Sequence, residues 1–144
     1  MKILFDTSVV IAAMIEPHPM HSFAFPWLKR AKSKEFQLFI ACHTLAETYA
    51  VLTTLPVSPK ITPLMAQHLI DQNLKTISKI VPLSSYDYFS VVRSLARASL
   101  PGGSIYDALI ARAAQKSRVD KLLTLNMEHF KRVWPEGTDI IFSP

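Results

Sequence analysis

The chain has 144 residues, 49% of them hydrophobic and 19% charged, with a mean hydropathy of +0.21. That length buries a core without disulfides or structural metals, and that composition excludes a disordered chain. The net charge of +5 suits an anionic partner such as RNA, though many proteins with no such partner carry as much.

In chain order, Lys2-Ile3-Leu4-Phe5 reads as a buried strand and Thr7 to Ile15 as the helix after it. Asp6 interrupts this opening apolar run too early for a signal peptide, so the N-terminus is expected to be retained. Met20 to Ser33 predicts a second helix that ends in a basic run. Gln37 to Ala41 reads as a strand, and Leu45 to Leu55 as a helix that stops near Pro56. The single cysteine, Cys42, excludes an internal disulfide. Its setting, Phe39-Ile40-Ala41-Cys42, predicts a buried core thiol and fits a reducing cytoplasm.

Thr62-Pro63 is a helix start, with a capping hydroxyl followed by proline at the first helical position, and that helix extends to about Lys75. Ile80 to Leu83 predicts a short strand, weakened by Pro82. Ser84 to Ala98 is helical, Gly102-Gly103 breaks the chain, and Ser104 to Ser117 is helical again. Leu122 to Leu125 reads as a strand, Asn126 to Val133 as a short helix, and Ile140 to Phe142 as an edge strand. No segment approaches the ~20 apolar residues of a membrane span. Strands alternating with helices predict one α/β domain over 1–144, with a mainly parallel sheet covered on both faces.

In such sheets ligands bind beyond the carboxyl ends of the strands. Asp6-Thr7-Ser8 follows the first strand, Thr44 and Glu47 the second, and Thr124 and Asn126 the fourth, so all three positions face one edge. Asp107 stands in the first turn of the helix after the two glycines, which allow a sharp turn and a close approach. Each residue also has a purely structural reading. Thr44 to Glu47 and Ser104 to Asp107 match a capping box, as does Ser84 to Asp87, and Asp6 and Asn126 are good caps. Jointly the acids say more. Three of only 11 acidic residues occupy strand or helix ends flanked by Phe5, Ala46 and Ala108. Carboxylates gathered in a pocket repel one another unless a cation neutralises them, and hard oxygen donors select Mg²⁺ or Mn²⁺.

These residues resemble the motifs of the PIN-domain ribonucleases. Asp6-Thr7-Ser8 is similar to the first motif and Glu47 in His43-Thr44-Leu45-Ala46-Glu47 to the second. Asp107 in Gly102-Gly103-Ser104-Ile105-Tyr106-Asp107-Ala108-Leu109-Ile110-Ala111 is similar to the third, which is the most specific. The run Leu122 to Phe130 is similar to the fourth. The segment ETYAVLTTLP from Glu47 to Pro56, with His18-Pro19-Met20-His21, resembles one branch of VapC toxins. The resemblance spans nearly the whole chain. It implies a three-layer α/β/α sandwich, Mg²⁺ or Mn²⁺, RNA hydrolysis, and a homodimer restrained by an antitoxin.

Carried over, Asp6, Glu47 and Asp107 are the metal-binding carboxylates and Asn126 the fourth catalytic position. The family often has an acid where Asn126 stands, and a neutral amide there is a weaker ligand that can orient water or phosphate. Glu128, one turn into a short helix, is expected to face solvent. The implied reaction has one metal on the three acids, which positions a phosphate oxygen and an attacking water. Thr7, Ser8 and Thr124 either hydrogen-bond the carboxylates or act as caps.

His18 and His21 have metal-compatible spacing but no further ligand, so a loop role is expected. The basic run Lys29, Arg30, Lys32 and Lys34 complements a helix C-terminus. Arg93 with Arg97, and Arg112 with Lys116, stand one turn apart and either line an RNA groove or are solvated. Phe23, Trp27 and Tyr49 are expected to cover the groove between the early helices. A phosphoryl-transfer enzyme with Asp6 as nucleophile lacks its second Asp, since Ser8 stands there. Three glycines leave no phosphate loop. A non-catalytic PIN-fold binding module and a housekeeping RNA-processing nuclease remain as alternatives.

Overall fold

A computed structural model describes residues 1–144. Five short strands form the centre: β1 (Lys2–Phe5), β2 (Gln37–Ala41), β3 (Ser78–Val81), β4 (Lys121–Leu123) and β5 (Ile141–Phe142). They lie in the order β3-β2-β1-β4-β5, and every neighbouring pair is parallel. The chain steps outward from β1 through β2 to β3, then returns to the other side of β1 with β4 and β5. The strand order therefore reverses between β1 and β4, at the place where an open α/β sheet leaves a crevice.

Seven helices cover the sheet: α1 (Thr7–Met14), α2 (His21–Lys32), α3 (Cys42–Leu52), α4 (Pro63–Ile70), α5 (Ser85–Arg97), α6 (Ser104–Ser117) and α7 (Met127–Val133). Alternate strand residues face opposite layers, as the pleat requires. Ile3, Phe5, Leu38, Ile40 and Leu123 pack with Val9, Val10, Ala24 and Leu28 of α1 and α2. Leu4, Phe39, Ala41 and Leu122 pack with Ile110, Ala113 and Ala114 of α6 and Phe130 of α7. Two cores share one sheet, which makes the three-layer α/β/α arrangement. The alanines of α6 carry little side chain and let its backbone lie close to the strands.

Most elements fall where the sequence places them, and the exceptions have local causes. Thr62 caps α4 by accepting a bond from the Met65 backbone N–H at 3.2 Å, and a π turn (Asp71–Lys75) extends that helix to the expected end. β3 begins two residues before the expected Ile80 and stops at Val81, because Pro82 has no N–H to offer the ladder. β4 ends at Leu123 rather than Leu125, since Thr124 and Leu125 turn into the hydrogen bonds described below.

α3 begins at Cys42, three residues earlier than expected. β2 runs into it with no linker. Cys42 is therefore the first helical residue at the end of the sheet, and it is exposed rather than buried. The same helix stops at Leu52, where Thr53 and Thr54 turn their hydroxyls back onto the Tyr49 and Ala50 carbonyls. At the glycine pair only Gly102 uses a left-handed conformation, with φ of +60°, and a Cβ at either position would meet nothing within 4 Å. The turn needs one glycine, and no close approach is involved.

Candidate active site

Asp6 leaves β1 at the switch point and is only 3% exposed. Its Oδ2 accepts two hydroxyl hydrogen bonds, from Ser8 at 2.6 Å and from Thr124 at 2.8 Å. Those hydroxyls are themselves held. Leu125 N–H donates to Ser8 Oγ at 3.0 Å, and Asn126 N–H donates to Thr124 Oγ1 at 2.9 Å. The segment after β4 is thereby tied to the acid after β1. On the other side, Thr7 Oγ1 lies 3.0 Å from Glu47 Oε1 and 3.3 Å from Thr44 Oγ1. Thr7, Ser8 and Thr124 thus serve the carboxylates, and no side-chain cap forms at Asp6 or Asn126. Thr44 lies inside α3, fully buried, and α6 has Gly103 at its N-cap position, so neither predicted capping box around Glu47 and Asp107 exists.

Asp107 feels the other two acids through its charge. Its pKa is pushed up to about 6 by burial and by the Asp6 carboxylate, against the pull of His129, with Glu47 raising it further. Burial also holds the Asp6 carboxyl above the usual range, although the Ser8 and Thr124 hydroxyls draw it back. No lysine or arginine pairs with any of the three acids. Their partners are His43, whose Nε2 is 3.4 Å from Glu47 Oε1, and His129, whose Nδ1 is 3.7 Å from Asp107 Oδ2. The three carboxylates do not converge on a common point in this arrangement. The set nonetheless fits a divalent cation in its chemistry: three carboxylates that influence one another electrostatically, one almost wholly buried, with no lysine or arginine paired to them.

Asn126 reaches this network through its backbone. Its exposed side chain lines a hollow of about 370 Å³ with Glu128 and His129. Glu128 faces solvent, 81% exposed, beside Lys131. A hollow of about 400 Å³ between α3 and α4 holds no cluster of acids, and one of about 710 Å³ opens at the amino end of the sheet, away from the carboxylates.

A PIN-domain family model matches residues 3–134. This chain belongs to the PIN-domain family. Among PIN relatives, Ribonuclease VapC27 of Mycobacterium tuberculosis is 33% identical over 115 residues, which is 80% of this chain and 78% of that one. Ribonuclease VapC40 of the same species is 34% identical over 122 residues, 85% of this chain and 84% of the relative. The chain thus groups with the VapC ribonucleases of the family. Solved PIN-fold structures agree in architecture. VapC20 of M. tuberculosis, a sarcin-ricin loop cleaving toxin, aligns with a TM-score of 0.66 at 18% identity over 83% of this chain and 86% of its own. VapBC2 of Rickettsia felis, bound to a DNA fragment from its promoter, aligns with a TM-score of 0.68 at 23% identity over 99% and 98%.

Two histidines beside the PIN carboxylates were not assigned a role from sequence. His43 precedes Glu47 by four residues on α3, a spacing that puts both on one helix face, and this was the available signal. His129 offered none, because its approach to Asp107 depends on how α7 meets α6. The other flagged residues are structural. His18 Nδ1 accepts from Met20 N–H at 3.0 Å, and His21 Nδ1 meets the Ala12 carbonyl at 2.8 Å. Arg112 and Lys116 each pair with Asp87 at 2.9 Å, which holds α5 to α6. Arg30 pairs with Glu35 at 2.7 Å and lies over Trp27. Trp27 packs on the first core, whereas Phe23 and Tyr49 remain exposed.

Proposed function

We propose that this PIN-domain protein is a metal-dependent endoribonuclease and the toxin of a toxin–antitoxin pair. One observation carries the reading: the Asp6 and Glu47 carboxylates both push up the pKa of Asp107, and no lysine or arginine pairs with any of the three. Asp6, Glu47 and Asp107 would hold Mg²⁺ or Mn²⁺. When bound, such an ion neutralises charge on a phosphodiester and makes water a competent nucleophile.

The chain's own residues prepare for that work. Ser8 and Thr124 hold the rotamer of Asp6 and oppose the burial that disfavours its ionised form. Thr7 hydrogen-bonds Glu47, and His129 stands beside the Asp107 carboxylate. In the reaction water adds to phosphorus, one P–O ester bond breaks, and the departing ribose oxygen takes a proton. Asn126 sits at the rim, where its amide is suited to orienting phosphate or water rather than to completing a second metal site.

The partners proposed are an RNA substrate, an antitoxin protein and a second copy of the chain, with residues 1–144 acting as one cytoplasmic domain. Support for the antitoxin comes from relatives named VapC and from a fold neighbour solved as the two-component VapBC2 assembly. No helix is long and apolar enough to cross a membrane.

The test is cleavage of mixed cellular RNA with and without Mg²⁺ or Mn²⁺, beside Asp107→Asn prepared identically. We expect metal-dependent cutting by the parent and a loss of roughly 100-fold or more in the variant. Equal cutting by both would reject the assignment. A folded, metal-binding parent that cuts nothing would favour the non-catalytic reading.

A further inference from the structure

Beside the carboxylates, α3 and α6 form a notch of about 230 Å³, lined by His43, Ala46, Glu47, Ala50 and Tyr106. On α3 these residues recur at helical spacing, so one stripe of the helix carries an imidazole, two alanines and the candidate metal-binding glutamate. The alanines are exposed and lower the floor of the notch. Its wall is aromatic. Tyr106, which precedes Asp107 on α6, lies parallel to the His43 ring, with centroids 5.0 Å apart and planes 2° apart. Half of Tyr106 stays exposed, although no hydrogen bond holds its hydroxyl. His43 Nε2 is buried with no hydrogen-bond partner, since its approach to Glu47 at 3.4 Å is poorly directed.

An open, flat-walled notch that shares Glu47 with the acidic site is chemically unlike a general protein-docking surface. Its floor is apolar and small, its wall is a stacked π pair, and the adjoining wall is where phosphate would be handled. A nucleobase has the shape and the polarizable face for such a wall, and aromatic stacking captures bases without reading their edges. We propose that this notch seats a nucleobase flanking the scissile phosphate, with Tyr106, braced by His43, as its stacking platform. This inference rests on the ribonuclease reading and adds a specificity-determining residue to it. The substrate is then an RNA whose bases are free to leave a helix at the cut, because a paired and stacked base cannot enter. Ala46 and Ala50 set the depth to which the base enters, and His43 acts through Tyr106 as a positioning residue.

The test uses the full chain and its own cutting pattern. Cleavage ends in mixed cellular RNA are mapped for the parent, Tyr106→Ala, Tyr106→Phe, Ala50→Leu and Asp107→Asn. An oligoribonucleotide spanning the most frequent cut is then made intact and with the base deleted on either side. We expect Tyr106→Ala to raise KM on the intact oligonucleotide by about 5- to 150-fold, and Tyr106→Phe to stay within about threefold of the parent. Ala50→Leu, which fills the notch from an exposed helical site, should mimic Tyr106→Ala and report independently of it. Deleting the base on one side should make the parent and Tyr106→Ala equal, because the stacked partner is gone.

An unchanged KM and cutting pattern in Tyr106→Ala, or a defect that persists undiminished on both base-deleted substrates, would overturn the inference while leaving the nuclease reading intact. Loss of the parent's Asp107-dependent cutting altogether would remove the reading beneath it, and the inference with it.

Discussion

Asp6 and Asp107 are carboxylates placed where a carboxylate is costly, and their surroundings show how that cost is managed. Asp6 is stripped of water and compensated by two hydroxyls, one from the helix it precedes and one from the residue just past β4. Replacing Thr124 by valine keeps the shape and removes one of those bonds. Since partners that orient a metal ligand are typically worth 10- to 100-fold, Thr124→Val should lower metal-dependent cleavage by about that factor without unfolding the chain. A steady-state assay beside a circular-dichroism melt checks both halves of the statement. Asp107 supplies a pH prediction. Its folded pKa of about 6 lies above the ordinary 3.8, so the folded chain takes up a proton more readily than the unfolded chain. At pH 7 its charge therefore destabilises the metal-free fold, and that penalty is relieved as pH falls through 6 towards 3.8. With the side chain 24% exposed and its charge partly screened, the effect is on the order of 1 kcal/mol. Urea unfolding in EDTA should find Asp107→Asn more stable than the parent at pH 7 and equal to it near pH 4. A variant less stable at pH 7 would show that burial beside the other acids does not penalise the Asp107 charge.

Among the helices, one local pattern met three fates. Ser84 to Asp87, Thr44 to Glu47 and Ser104 to Asp107 all have the capping-box form, and only the first is one. There Ser84 accepts from Asp87 N–H at 3.2 Å and Asp87 accepts from Ser84 N–H at 2.9 Å. The other two fail for reasons that lie outside the tetrapeptide. β2 runs into α3 without a break, which places Thr44 within the helix, and Gly103 takes the cap position ahead of Ser104. Sequence periodicity finds the body of an element well, because it reports which face is buried. It finds the ends poorly, because those depend on bonds to distant strands. Hence β1, β2 and α6 were legible, β3 was displaced by two residues, and Cys42 was assigned to a core it never enters. The choice of Asp6, Glu47 and Asp107 as candidate ligands came from strand ends together with the family motifs. His43, His129 and the Tyr106 stack did not, because helix-to-helix geometry decides them. Asp87 is also a clasp for Arg112 and Lys116 of α6, and these contacts hold its pKa well below the carboxylate range, led by the bond from the Ser84 backbone. A depressed pKa means stability present above the unfolded value near 3.8 and lost as pH falls below it. Asp87→Asn should cost about 1–3 kcal/mol in urea unfolding at pH 7, and clearly less at pH 3. α6 ends at Arg118 in the left-handed conformation, with φ of 51°. Arg118→Gly removes that strain and should raise stability by about 0.5–1 kcal/mol, read as a small upward shift in Tm.

Across the whole molecule, the three acids come from segments far apart in sequence: the end of the first strand, the helix after β2, and the helix before β4. Asp6 belongs to the layer that carries α1 and α2, whereas Asp107 begins the helix of the opposite core. A cation held by Asp6, Glu47 and Asp107 would therefore bind only the assembled fold, since no shorter piece of the chain presents all three. Binding of that kind stabilises by mass action. At a hundredfold excess over Kd it contributes about 2.7 kcal/mol, which for a chain of this size is roughly 5–10 °C in Tm. Mn²⁺ added to the metal-free protein should thus raise Tm by several degrees, and EDTA should reverse it. Asp6→Asn, with its hydroxyl partners left in place, should melt at the same temperature with and without Mn²⁺. Protonation of Asp107 competes with the cation, so below pH 6 the apparent affinity should fall by about tenfold per pH unit. An equal Mn²⁺ response in parent and Asp6→Asn would mean that the ion sits elsewhere, and that the buried carboxylate serves the fold alone.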